Sequence, residues 1–167
     1  MSVRPAHART TQARHQRGAS TRALGHAAVG AMSARARGYV IDVSAGNAFF
    51  PTPGSAAHGA SKAFIKSLAE ALAYELSDGG VRPTAVCHGF TRTGAQDRLG
   101  LNRQAFPRFM WRNADGVARD ALRDARRKRV VSGLDSCGAF GAFDAPHLPQ
   151  RLLTPLVARA TARFASG

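Results

Sequence analysis

Apolar residues along this chain fall into alternating helix-like and strand-like stretches. Between Thr21 and Ala36, Leu24, Ala27, Ala28, Ala31 and Met32 recur at helical spacing, and Gly38 is expected to stop the run. Tyr39-Val40-Ile41-Asp42-Val43 is a short β-branched run, the pattern of a buried parallel strand. Pro51, Pro53 and Gly54 then predict a loop. Ala57 to Leu76 reads as the clearest helix, with Phe64, Ile65, Leu68, Leu72 and Leu76 as its apolar stripe and Asp78-Gly79-Gly80 as its terminator. Val81 to Cys87 reads as a second strand, although Pro83 sits badly with any place but a strand's start or edge.

The second half is less regular. Gly94 to Trp111 shows no period and carries Phe106, Phe109 and Trp111. Asn113 is placed to cap a helix Ala114–Arg127, whose expected buried face is Val117, Ala118, Ala121, Leu122 and Ala125. Arg129 to Gly133 is a short strand candidate, a glycine-rich loop follows, and a last amphipathic helix is expected at about Pro149–Phe164. Alternation of helix and strand implies an α/β fold, with about three parallel strands and helices on both faces.

Composition narrows the picture. A chain of 167 residues with 44% hydrophobic content suits one domain with a sizeable core. Residues 1–20 form a basic lead segment, read as disordered, ahead of a single domain over 21–167. The formal charge of +14 is carried almost wholly by arginine, and no acidic residue precedes Asp42. A basic excess by itself specifies no groove-reading element, so arginines on solvated faces are preferred to a nucleic-acid or membrane-surface role. The cluster Arg123, Arg126, Arg127, Lys128 and Arg129 ends a predicted helix, where cations favour the dipole. Cys87 and Cys137 make no CxxC pair, the histidines show no metal spacing, and no apolar stretch reaches the length of a membrane span. A reducing, cytoplasmic setting is the default expectation.

The chemistry concentrates in three short segments. These are Val40-Ile41-Asp42-Val43-Ser44, then His58-Gly59-Ala60-Ser61-Lys62, then Val86-Cys87-His88-Gly89. Together, in this order and spacing, they resemble the catalytic half of a short-chain dehydrogenase/reductase. Residues 21–164 are similar to the second half of that family, which implies a partial Rossmann-like, doubly wound sheet lacking the N-terminal dinucleotide-binding half.

The resemblance implies an NAD(P)-dependent oxidoreductase of carbonyl or alcohol substrates. In the family a tyrosine is the general acid, a lysine one helical turn later supports it and holds the nicotinamide ribose, and a serine polarises the carbonyl oxygen. Here Lys62 stands at the lysine position, but His58 replaces the tyrosine and Ala45 the serine. Ser44 would serve only if a bulge re-aimed it, since adjacent strand residues point to opposite faces. Gly89 and Thr93 match positions that approach and contact the nicotinamide, with His88 in place of the usual proline. The glycine-rich turn that cradles pyrophosphate is not found, so NAD(P) binding by this chain alone is not expected. The resulting expectation is a truncated, divergent member, impaired or inactive as a lone chain, with a non-catalytic dimerising module as the alternative.

Overall fold

A computed structural model describes residues 23–25, 27–94, 104, 106–133 and 149–165. The expected lead segment, the glycine-rich loop, Cys137 and His147 lie outside the described residues. Residues 27–33 are helical, and the chain then turns through Ala36, whose φ of 50° is the left-handed conformation, into β1 (Gly38–Val43). The turn at Ala36, rather than Gly38, therefore ends that helical stretch. Its apolar face is only half realised, because Ala28 and Met32 are half-buried while Leu24, Ala27 and Ala31 are exposed.

A 3₁₀ turn at Gly46–Ala48 leads towards α1 (Ala56–Glu75), which begins one residue before the predicted start. After α1 comes β2 (Val81–Val86). Gly80, just before β2, has φ +70°, and a Cβ there would lie 1.9 Å from the Ala36 carbonyl oxygen. Only glycine lets the turn ahead of β2 pass so close to the turn ahead of β1. The chain continues through β3 (Thr91–Arg92), a 3₁₀ turn at Arg108–Met110, β4 (Arg112–Asn113), α2 (Ala114–Arg126), β5 (Val131–Ser132) and α3 (Gln150–Ala165).

The main sheet is parallel, as the alternation of elements predicts, and its strand order is β1-β2-β5. β1 and β2 run in register from Gly38 opposite Val81 to Val43 opposite Val86. β3 and β4 form a separate parallel pair. β2 is thus the central strand, and Pro83 lies inside it. The hydrogen bonds explain why this is tolerated. Ala85 N donates to Val130 O and Cys87 N to Ser132 O, both at 2.8 Å, so odd-numbered amides of β2 face β5. Pro83 lies two residues earlier, below the level at which β5 begins, where a missing N–H forfeits no ladder bond.

The core lies between β2 and its flanking helices. Ala69 from α1 packs with Ala85 and Cys87, and Phe49 and Val131 close around them. Of the predicted α1 stripe, Ile65 is buried and Leu72 half-buried, whereas Phe64 is turned outward and 42% exposed. Asn113 caps α2 as expected, its Oδ1 accepting from Gly116 N at 2.7 Å. The predicted buried face of α2 needs correction. Ala121 and Ala125 are buried, but Ala118 and Leu122 are exposed, and the third buried residue is Asp124.

Asp124 is 1% exposed and holds α2 to β5. Its Oδ2 accepts a 2.7 Å hydrogen bond from Ser132 Oγ, and its Oδ1 faces Arg123 Nε at 3.5 Å and Arg129 Nη1 at 3.7 Å. A charge-assisted hydrogen bond in so buried a place contributes about 2 kcal/mol. Asp124→Ala is therefore expected to lower the unfolding free energy by about 2 kcal/mol, and Ser132→Ala by about 1 kcal/mol. Urea unfolding followed by circular dichroism measures both, and equal stability of Asp124→Ala and the parent would refute the assignment.

Candidate functional site

The site is assembled where β1 and β2 end and α1 begins. Two hydrogen bonds of opposite direction tie the end of β1 to α1. Lys62 Nζ donates to Val43 O at 2.7 Å, and Ser44 Oγ donates to Lys62 O at 2.8 Å. A third links the strand ends, with Gly46 N donating to His88 O at 2.8 Å. The loop after β1 then packs on the first turn of α1. A Cβ at the buried Gly59 would lie 3.6 Å from Asn47 O and 3.8 Å from Thr52 Oγ1.

Each residue singled out from sequence has a definite place. His58 and Lys62 are four residues apart on α1, so they share one face of the helix. Both are half-buried, and the carbonyl of His58 accepts from Ser61 Oγ at 2.8 Å. Ala45 is half-buried in extended backbone, with φ −160° and ψ 164°. Ser44 is fully buried, with its hydroxyl committed to the α1 backbone. Among the described residues nothing lies within 4 Å of a Cβ built at Gly89, and Thr93 is exposed.

His88 is held by its neighbours. Its Nδ1 lies 2.9 Å from Gly89 O and 3.1 Å from Thr91 Oγ1, while Thr91 Oγ1 donates to Gly89 O at 3.1 Å. A proton on Nδ1 satisfies both contacts, because the carbonyl can only accept. Cys87, next to it, is buried, and desolvation pushes its thiol above the usual range despite the Ser44 hydrogen bond and the nearby Lys66 ammonium. Such a thiol is a small core side chain rather than a nucleophile. Lys66 itself pairs with Glu70 at 2.7 Å and sits 5.1 Å from the Phe49 ring centre.

Two features were not read from sequence. Asn47 Oδ1 is buried without a hydrogen-bond partner among the described residues, and the sequence signals only a loop there. The structural commitment of Ser44 is likewise invisible in a strand-end serine. Among the described residues no group of histidine, cysteine or carboxylate side chains could hold a metal, and no helix is long and apolar enough to cross a membrane.

Comparison with known proteins places this geometry. The family model for short chain dehydrogenase matches residues 19–104, about half of the chain. A segment of 63 residues is 40% identical to an inactive hydroxysteroid dehydrogenase-like protein 1 of Danio rerio, covering 38% of this chain and 20% of that protein. A segment of 68 residues is 40% identical to a 2,3-dihydro-2,3-dihydroxybenzoate dehydrogenase of Escherichia coli, covering 41% of this chain and 27% of that protein. The matches thus span between 20% and 27% of these relatives' length.

Among solved structures, a short-chain dehydrogenase from Sphingobium yanoikuyae in complex with NADPH is similar with a TM-score of 0.63 and 26% identity, over 81% of this chain and 52% of that one. A bulky-bulky ketone specific alcohol dehydrogenase from Comamonas testosteroni shares the fold with a TM-score of 0.59 and 23% identity, over 81% of this chain and 49% of that one.

The clasp between β1 and α1 is open to a direct check. Removing the Ser44 hydroxyl deletes a buried hydrogen bond of ordinary strength, about 1 kcal/mol. Ser44→Ala is expected to lower urea-unfolding stability by that amount, and a variant as stable as the parent would show that the hydroxyl holds nothing.

Proposed function

Because the chain belongs to the short-chain dehydrogenase family, we propose that it is a divergent NAD(P)-type oxidoreductase segment, directed at a carbonyl or alcohol group and impaired in that chemistry. One observation carries the reading. The lysine of the family's catalytic pair is kept at the site, as Lys62 against Val43 O at 2.7 Å, while His58 and Ala45 occupy the positions of the general acid and the polarising serine.

The residues present fit one end of the cofactor. Among the described residues nothing lies within 4 Å of a Cβ at Gly89, which leaves room for a flat ring, and exposed Thr93 and half-buried Lys62 stand at the family positions that would contact it. For the pyrophosphate end, the described residues include no glycine-rich turn leading from a strand into a helix N-terminus. NAD(P), when bound, exchanges a hydride with the substrate. Lys62 would hold a ribose hydroxyl and keep positive charge beside position 58. At position 58 an imidazole stands in place of the family's phenol, on the same helix face as Lys62. Ala45 presents no donor to a carbonyl oxygen.

The lone chain of 167 residues is expected to show no saturable binding of NADH or NADPH up to about millimolar concentration by titration calorimetry. His58→Tyr combined with Ala45→Ser is expected to restore no carbonyl reduction in this chain, because the hydride donor remains unbound. Turnover by the double variant, or submillimolar binding by the parent, would overturn the reading.

A second reading, a dimerising module, is favoured by apolar side chains left outside. On α1 Phe64 is 42% and Tyr74 87% exposed, and on β1 Tyr39 is 52% and Val43 57% exposed. β1 pairs only with β2 among the described residues, so one strand edge offers unpaired backbone groups to a second copy. Positive charge opposes association at long range, and salt screens it beyond about 8 Å at physiological ionic strength. Sedimentation at tens of micromolar should show a dimer or larger species that grows with salt, and a folded, salt-independent monomer would exclude it.

A further inference from the structure

The side chains of α2 are sorted by face. Ala121, Asp124 and Ala125 are buried, and the Asp124–Ser132 hydrogen bond fixes the rotation of the helix against β5. Residues on the opposite side must then point away from the sheet. Arg119, Leu122, Arg123 and Arg126 follow one another at helical steps along that outer face, and all four are exposed. Arg127, Lys128 and Arg129 continue it beyond the last turn and are exposed as well. From Arg119 to Arg126 the stripe is about 10 Å long.

Structural duties do not account for all of these cations. The helix end is already closed by its own backbone. Lys128 has φ 60°, the left-handed conformation of a helix stop, with Lys128 N donating to Ala125 O at 3.1 Å and Arg129 N to Asp124 O at 2.9 Å. The neighbouring carboxylates are engaged elsewhere. Asp120 accepts from Arg112 and pairs with Arg123 at 2.7 Å, and Asp124 is buried. Among the described residues Arg119, Arg126, Arg127 and Lys128 pair with no carboxylate. Four exposed charges of one sign thus stand close together, with no counter-ion from the described residues.

We infer that the outer face of α2 binds the phosphodiester backbone of a nucleic-acid duplex without reading its sequence. Net charge alone specifies no such partner, but the placement of these cations does. A duplex carries one negative charge per about 1.7 Å of its axis, so a length matching the stripe presents about six phosphates. Guanidinium forks match phosphate oxygens two at a time, and contacts to phosphate carry no sequence information. A lipid surface fits less well. An interfacial helix inserts an apolar face, and that of α2 is committed to the sheet, which leaves Leu122 as its one exposed large apolar side chain. A second copy of the chain would bring a face of the same sign. Binding here needs neither cofactor nor catalytic acid, so the inference stands apart from the oxidoreductase reading.

The full chain is titrated against short fluorescein-labelled DNA duplexes of two unrelated sequences, followed by fluorescence anisotropy at several salt concentrations. The expected result is saturable binding, equal for the two sequences within about fivefold, with log affinity falling linearly against log salt. Arg119→Gln combined with Arg126→Gln and Arg127→Gln should flatten that slope by about two to three and weaken binding about tenfold or more. Arg119→Gln alone, in the middle of the helix, should keep the parent's circular dichroism and flatten the slope by about one, so the test survives if the triple variant fails to fold. Arg35→Gln combined with Arg37→Gln and Arg159→Gln removes the same charge from exposed positions on other elements and should leave the slope unchanged. Absence of saturable binding overturns the inference, as does a larger preference between the sequences. So does a slope that the α2 changes leave unaltered, or that the control changes flatten as much. Polyglutamate or phosphatidylserine vesicles displacing the labelled duplex as well as unlabelled DNA does at equal charge would assign the face to an acidic protein or a lipid surface, and overturn it too.

Discussion

The geometry of the site depends on the two-way link between the end of β1 and α1. Lys62 gives its ammonium to the last carbonyl of the strand, and Ser44, the next residue, gives its hydroxyl to the carbonyl of Lys62. Each bond is worth about 1 kcal/mol or somewhat more, yet together they fix both the height and the rotation of the helix over the sheet. A helix free to rotate by one residue would turn its face by about a quarter of a circle and carry Lys62 away from the strand end. The in-register pairing of β1 with β2 then sets where His88 and Gly89 emerge relative to that lysine. The positions of Ser44, His58, Lys62, His88 and Gly89 relative to one another follow from these few contacts.

The order of elements was legible because its signals are local. The β-branched run before Ser44, the glycines before Val81 and the Asn113 cap each act within a few residues, and each appears where periodicity puts it. What was not legible depends on partners distant in sequence. Pro83 argued against a central strand, and only the short reach of β5 explains its presence there. On α2 the apolar pattern marked Leu122 for the core, but that helix turns Asp124 inward, because Ser132 and the arginines around it satisfy the carboxylate. A periodicity argument assigns every aspartate to solvent, so it misplaced the helix face. The same blindness applied to Ser44, whose partner is eighteen residues away.

The charge of this chain acquires a structural reading from the same contacts. Acidic residues are scarce, and two of the three on α2, Asp120 and Asp124, each face more than one arginine. Asp120 accepts from Arg112 and pairs with Arg123 at 2.7 Å, and the Arg112 hydrogen bond holds its carboxyl below the usual range. Asp124 faces Arg123 and Arg129. The basic run at the end of α2 is therefore partly neutralised in place and complements the helix dipole. Arg92 and Arg108 lack any such carboxylate among the described residues, and they flank aromatic rings rather than a helix end. Net charge alone would treat these arginines as equivalent, whereas their surroundings separate those paired with a carboxylate from those that are not, among the described residues.

Fold and chemistry separate along the same lines of burial. Ser44, Thr84, Asp124 and Ser132 are almost completely buried and bonded across elements, so a change at any of them is felt by the whole sheet. Ala45 and His58 are half-buried at the rim of the strand ends, where a side chain can be exchanged without opening a cavity in the core. Under the proposed function, the scaffold keeps its register, its lysine and its strand-end clasp while its acid and its polarising hydroxyl are replaced. The fold constrains where these groups must stand, but it does not require that they be present. Under the proposed function, family membership and catalytic competence are different questions: the first rests on residues 19–104 as a whole, the second on positions 45, 58 and 62 at the open end of the sheet.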